Sequence, residues 1–403
     1  MTGIPRERVH TRRAVGWLLV AVVIGYPVAG LLASALDLNS VLASVPLRLL
    51  VLALSFSVWI GARRPKPHPG TAWLAAFALF YLVRLLWDLT RGGLDGAGEA
   101  LAFYGVTVLA PALALWGGAA ALDQTKVVRL MFYIGSLICA SAVLMHLLGV
   151  GQERSLSEAT GRLSFEAINP ITLGHAAATT LIAALCLLRQ PLRAADAPLL
   201  PAGCAVAAAV LLLSASRGPV LCLAAGLLVY AAATRRWHWL LLMVAAMLPW
   251  LADPNGELWM RFASVSAIEE DWSALERLVL QTNALEQFLS NPFLGSAFVE
   301  LELQTYPHNL FIETAMALGL VGLAVLLPLL WHVVRSAVAH VKAGQLLLPL
   351  LFVQYFVGAQ LSGAIYGNAA LWSTAAMLLG VRLSRPKRSH TTPALVIGCG
   401  SAP

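Results

Sequence analysis

Charge is scarce in this sequence. Asp, Glu, Lys and Arg make up 12% of the 403 residues, hydrophobic residues make up 59%, and the mean hydropathy is +0.77. A soluble domain does not need so much apolar sequence. The apolar residues come in repeated runs of about 20, the length at which a helix crosses a bilayer with its backbone hydrogen bonds satisfied internally. Lysine is scarcer still, with only Lys66, Lys126, Lys342 and Lys387. The five cysteines (Cys139, Cys186, Cys204, Cys222 and Cys399) lie in apolar runs or the far tail. None forms a CxxC or a metal-spaced pair, so neither a disulfide framework nor a structural zinc is expected. There is no DxD, clustered-histidine or phosphate-loop pattern. The net charge of +7 sits in short loops between apolar runs, so it reports membrane topology, not nucleic-acid binding. The first apolar run, residues 14–36, is too long for the core of a cleavable signal peptide.

Threading the runs in order predicts an all-α integral membrane protein of about twelve transmembrane helices, forming one polytopic domain over residues 1–403. Expected spans one to eight begin near residues 14, 41, 71, 101, 130, 171, 199 and 220. The ninth covers 239–251, the tenth 308–334, and a last hairpin covers 346–363 and 368–381. Both termini then lie in the cytoplasm, because all four lysines and most arginines fall on that side. One long outside loop, 252–307, separates spans nine and ten. Residues 391–403 read as a loose tail.

The basic residues that fall on or near the outer side are all arginines: Arg48, Arg84, Arg91, Arg154, Arg162, Arg217, Arg261 and Arg277. A guanidinium offers a planar fork of donors suited to phosphate or carboxylate oxygens. Pairing with nearby acids accounts for Arg91, Arg154 and Arg261. Arg48 and Arg84 fall within spans, where arginine is costly and faces either a polar cavity or the headgroups. Arg217 lies in Ser-Ala-Ser-Arg-Gly-Pro, where Gly218-Pro219 is expected to stop a helix and pin the arginine at the boundary. Arg277 follows Ser273-Ala-Leu-Glu276, which reads as a capping box. Leu275, Leu278, Val279, Leu285, Phe288 and Leu289 then recur on one helical face until Asn291-Pro292. The expectation is an amphipathic helix over about 273–290 lying on the membrane surface, with Arg277 in its first turn. A cation there, beside free helix N–H groups, fits a site that binds an anion. A pair with Glu276 or Asp271 is the plainer alternative.

Tyr306-Pro307-His308-Asn309 opens span ten. An imidazole near neutrality at that boundary suits a general base acting on a hydroxyl, although capping the helix would explain it as well. Glu313, one turn on, is expected to pair with Asn309 or orient the site. Gly319 and Gly322 are expected to let neighbouring helices approach.

His308-Asn309, nine residues, Gly319, two residues, Gly322 resembles the signature of the O-antigen ligase/polymerase superfamily. Asn291-Pro-Phe-Leu-Gly295 resembles that family's NP-x-x-G segment, Ser216-Arg217-Gly218 its Ser-Arg-Gly turn, and the loop from Gly161 to Ala176 its loop before span six. The resemblance implies a GT-C type glycosyltransferase of the bacterial inner membrane, with its active site on the periplasmic face and no metal, nucleotide or other cofactor. Its donor would be a glycan on undecaprenyl diphosphate. Its acceptor would be lipid A–core oligosaccharide for a ligase, or another lipid-linked repeat for a polymerase. By position, His308 takes the family's catalytic-histidine place and Arg217 that of its Ser-Arg-Gly arginine. Arg277 takes the loop-arginine place, with Arg261 as runner-up. Asn309, Arg162, Arg84, Arg48, Arg261, Tyr306 and Glu313 are expected to bind substrate. Ligase is favoured over polymerase; a lipid or polysaccharide transporter is the reading from another class. A peptidoglycan polymerase of the shape-and-division type is a further alternative with related chemistry.

Overall fold

A computed structural model describes residues 6–62, 68–153, 162–238, 241 and 272–381. Among these residues the regular structure is helical throughout, apart from two isolated bridges in the loop before residue 170. The helices are α1 (Arg6–Ala35), α2 (Ser40–Gly61), α3 (Pro69–Arg91), α4 (Ala97–Ala121), α5 (Gln124–Leu148), α6 (Pro170–Leu187), α7 (Asp196–Leu213) and α8 (Arg217–Thr234). They are followed by α9 (Trp272–Ser290), α10 (Leu310–Lys342), α11 (Leu347–Gly358) and α12 (Ala369–Gly380). A π-helical stretch, Tyr104–Leu109, interrupts α4.

Nine described helices are long and apolar enough to cross a membrane: α1 to α8 and α10. They correspond to expected spans one to eight and ten. The last hairpin is a correction. Helices α11 and α12 have 12 residues each, about 18 Å at 1.5 Å per residue, well short of a bilayer core of about 30 Å. The apolar runs read as full spans are cut by the turn at 359–368. Expected span nine, most of loop 252–307 before α9, Arg154, Arg261 and the tail lie outside the described residues.

The bundle closes around α6 and α12, both buried on nearly every side. Helix α6 packs on α5, α7 and α8, and α12 packs on α4 and α11. Several threonine hydroxyls in this apolar interior are satisfied within their own helices. Thr180 donates to Ala176 O at 2.8 Å and Thr374 to Ala370 O at 2.8 Å, which removes the cost of an unpaired polar atom. At one end of the bundle, Asp196 takes Arg129 at 3.5 Å and the Tyr133 hydroxyl. The opposite end carries the candidate site.

Helix α9 packs on α10 there. Its inward face is Leu280, Ala284 and Gln287, and Gln287 binds the following loop through Val299 O at 3.1 Å and Leu301 N at 3.1 Å. The stripe seen in the sequence points the other way: Leu278, Val279, Leu285 and Leu289 are exposed, with Phe293 and Leu294 continuing the surface. An apolar outward face on a helix at the end of a bundle suits a bilayer surface. The described part of the helix begins at Trp272 and places Arg277 within its first two turns.

Candidate active site

The site is built on a docking of loop into helix. After Asn291-Pro292 the chain turns at Gly295, whose φ is 69°. It enters a break in α10 at Gly319, where φ is 64° and ψ is −159°, a region essentially restricted to glycine. The break frees backbone groups that the loop takes up. Leu320 N donates to Pro292 O at 2.7 Å, Val321 N to Phe293 O at 3.2 Å, and Ser296 N to Met316 O at 2.9 Å. A Cβ on Gly319 would lie 2.4 Å from Phe293 C and O, and one on Gly295 would lie 2.4 Å from Ala317 C. Gly319 therefore admits a loop, not a neighbouring helix as its spacing suggested. Gly322 lies against Leu318 of its own chain, where a Cβ would meet Leu318 Cβ at 2.2 Å. The expectation of helix-packing glycines is corrected at both positions: the two motifs are halves of one contact.

Just upstream, the chain passes through His308 at φ 56°, a left-handed conformation uncommon outside glycine. Asn309 caps α10, its Oδ1 accepting from Phe311 N at 3.0 Å and Ile312 N at 3.1 Å. The imidazole is thus not spent on capping, and Nδ1 is buried with no hydrogen-bond partner among the described residues. Its ring stands edge-on to Tyr306, with centroids 4.6 Å apart. Burial, and then the Arg277 guanidinium, pull its pKa down to about 4, so it is neutral and proton-accepting at pH 7. Burial pushes the Tyr306 phenol up, Glu313 adds to that, and Arg277 opposes it. Arg277 forms no ion pair with Glu276 among the described residues; the charge it places on His308 and Tyr306 brings it to this corner.

Arg217 stands at the head of α8. Gly218-Pro219 does not stop a helix, as expected, but starts one: α7 ends at Leu213, and Pro219 sits in the first turn of α8, where a missing N–H costs nothing. The approach is strained at Ala215, φ 44°. Arg162 braces it, Nε donating to Ser214 O at 3.2 Å and Nη2 to Ser216 Oγ at 2.7 Å. Gly218 faces Leu361, in the turn after α11, and Ala359 O in the same turn accepts Leu310 N at 2.9 Å. One turn therefore joins the Arg217 corner to the head of the helix behind His308.

Glu313 is buried and reaches neither Asn309's amide nor His308. Its carboxylate accepts Ile365 N at 2.9 and 3.0 Å and the Tyr81 hydroxyl at 3.1 Å, fixing the 365–367 turn. That departs from the expected pairing because a helical turn places residue 313 inward, against α3. Arg84 is engaged by Asp88 and by three loop carbonyls, Leu294 O, Gly295 O and Ser296 O. Arg48 lies 4.6 Å over the Phe103 ring and lines a cavity of about 450 Å³ together with Tyr306, Tyr366, Asn169, His175 and Asn368. Sequence reading missed Tyr366 and Asn368. Asn368 carried a signal, since asparagine before an apolar run is a helix cap, and it does cap α12 through Leu371 N at 3.2 Å. Tyr366 carried none.

The family model for O-antigen ligase matches residues 202–327, which hold Arg217, Arg277, the docked loop, His308 and the break at Gly319. No curated protein and no solved structure matches the chain significantly. Members of the matched family, O-antigen ligases and related polymerases, are glycosyltransferase-like enzymes acting on lipid-linked glycans. The match over residues 202–327 supports a likeness of this multi-pass membrane protein to the O-antigen ligase-like superfamily.

Proposed function

We propose that the protein is an O-antigen ligase, moving a glycan from undecaprenyl diphosphate to a hydroxyl of lipid A–core oligosaccharide at the periplasmic face of the inner membrane. The observation that carries this reading is His308: a neutral imidazole, relieved of capping by Asn309, under the field of Arg277 and beside a cavity that shares Tyr306. In this mechanism the acceptor oxygen attacks the anomeric carbon and its proton passes to the imidazole. The bond from the anomeric carbon to the diphosphate oxygen breaks, and its electron pair leaves with the diphosphate. Arg217 and Arg277 stabilise the charge that gathers there, a contribution of about 3–4 kcal/mol per well-placed donor in comparable sites. Attack opposite the leaving group inverts the anomeric centre.

The long loop before α10 favours ligase over polymerase. Deleting the gene separates the two. Lipid-linked polymer that is never transferred supports a ligase; single repeats capping the lipid A–core identify a polymerase and overturn the narrower reading.

The proton-acceptor role carries a pH signature. His308 works only when neutral, so kcat/KM should stay flat from neutral pH downward and fall as pH drops toward about 4. In Arg277→Gln the neighbouring cation is gone, the imidazole pKa rises, and the acidic limb should move to higher pH. A pH–rate profile of both proteins checks this; a limb that does not move removes Arg277 from the neighbourhood of the base.

A further inference from the structure

Helix α3 carries no residue of the matched segment, yet one of its faces holds both walls of the corner around His308. Tyr81, Arg84 and Asp88 are spaced three and four apart, so they share that face. Arg84 Nη1 donates to Ser296 O at 2.9 Å and to Asp88 Oδ1 at 3.2 Å, and Nη2 to Leu294 O at 2.9 Å. Asp88, 1% exposed, uses its other oxygen to accept Phe298 N at 2.9 Å. The pair thus fastens the C-terminal end of the segment that enters the break at Gly319, from Leu294 to Phe298. Farther along, the Tyr81 hydroxyl donates to Glu313, whose carboxylate holds Ile365 N.

These two anchorages meet in a row of rings. Phe298 stands edge-on to Tyr366 at 6.0 Å, Tyr366 to Tyr306 at 6.1 Å, and Tyr306 to His308 at 4.6 Å. Phe298 N is held by Asp88 and the turn bearing Tyr366 by Glu313, so the row is fixed at both supports from α3. We propose that Arg84 and Asp88 are positioning residues: a charged clamp on α3 that holds the 294–298 segment and, through Phe298, Tyr366 and Tyr306, sets the His308 ring. A guanidinium is suited to this because its fork reaches two carbonyls and a carboxylate at once, which a lysine ammonium does not reproduce. A pair at 11% and 1% exposure also has little water to compete with it.

The proposal rests on the glycosyl-transfer reading, and its test is divided accordingly. In the transfer assay, Arg84→Lys and Asp88→Asn should lower kcat, by up to about a hundredfold for a base misplaced by 1 Å, with KM for donor and acceptor kept. Phe298→Leu, which leaves the charges alone, should lower kcat in the same direction. A raised KM with kcat kept would make Arg84 a substrate-binding residue. A lowered melting temperature with both constants kept would make the clamp structural only. Either result overturns the proposal. A second arm needs no substrate: hydrogen exchange at Ser296, Phe298, Leu320 and Val321 should accelerate in Arg84→Lys. Unchanged exchange overturns the clamp whatever reaction the protein performs, whereas wild-type protein that forms no product overturns the ligase reading alone.

Discussion

Replacing His308 by alanine should slow glycan transfer by about 10²–10⁴-fold, the usual contribution of a positioned general base, without unfolding the protein. The imidazole makes no hydrogen bond that alanine would orphan, since Nδ1 is unpartnered among the described residues and the cap of α10 belongs to Asn309. The left-handed backbone at this position costs alanine about what it costs histidine, roughly 1–2 kcal/mol, so the substitution adds little strain. The loss is therefore expected in kcat, with donor binding and melting temperature kept. Transfer assays beside thermal unfolding in detergent check this. A variant that turns over normally would return His308 to the status of a boundary residue.

The second large effect is expected at Gly319. An alanine there meets Phe293 C and O at 2.4 Å and Leu294 N at 2.6 Å, all backbone atoms that no side-chain rotation can move aside. Its φ and ψ add strain of about 1–3 kcal/mol. The loop must withdraw, giving up the bonds from Leu320 N, Val321 N and Ser296 N. Each buried group left unpaired costs about 1–3 kcal/mol more. Gly319→Ala should accordingly lower the melting temperature and abolish transfer together. Gly105→Ala, where an added Cβ meets nothing within 4 Å, is the control and should leave both unchanged. A Gly319→Ala protein of wild-type stability would mean that the loop does not occupy the break.

The contrast between these two residues shows what the sequence made legible. Helical spans follow from apolar runs alone, because a bilayer demands internal hydrogen bonding and leaves little else to decide. The importance of His308 and of the two glycines was visible as a spacing, but the spacing did not carry its mechanism. Gly319 read as a site of close helix contact, since that is the commonest reason for a small residue in a span. Only the backbone angles identify it as a break that receives Asn291-Pro-Phe-Leu-Gly295. Arg84 read as a cation facing a polar cavity or the headgroups, because apart from Asp88 its partners are main-chain carbonyls more than 200 residues away, and carbonyls leave no mark in a sequence. Glu313 is similar: its partners are a hydroxyl on α3 and an amide at Ile365. Arg217 read as the end of one helix and stands at the start of the next, as a proline can open a helix as readily as it can end one. Long-range polar contacts made through the backbone are where sequence reasoning falls short in this molecule.

The reading as a whole depends on the protein forming a glycosidic bond by displacement at the anomeric carbon. The direct measurement is product analysis by NMR after incubating the purified full-length protein with undecaprenyl-diphosphate-linked glycan and lipid A–core acceptor. The account predicts a new glycosidic bond whose anomeric configuration is inverted relative to the donor. Retention of configuration, or donor carried across a bilayer with no bond formed, would contradict it.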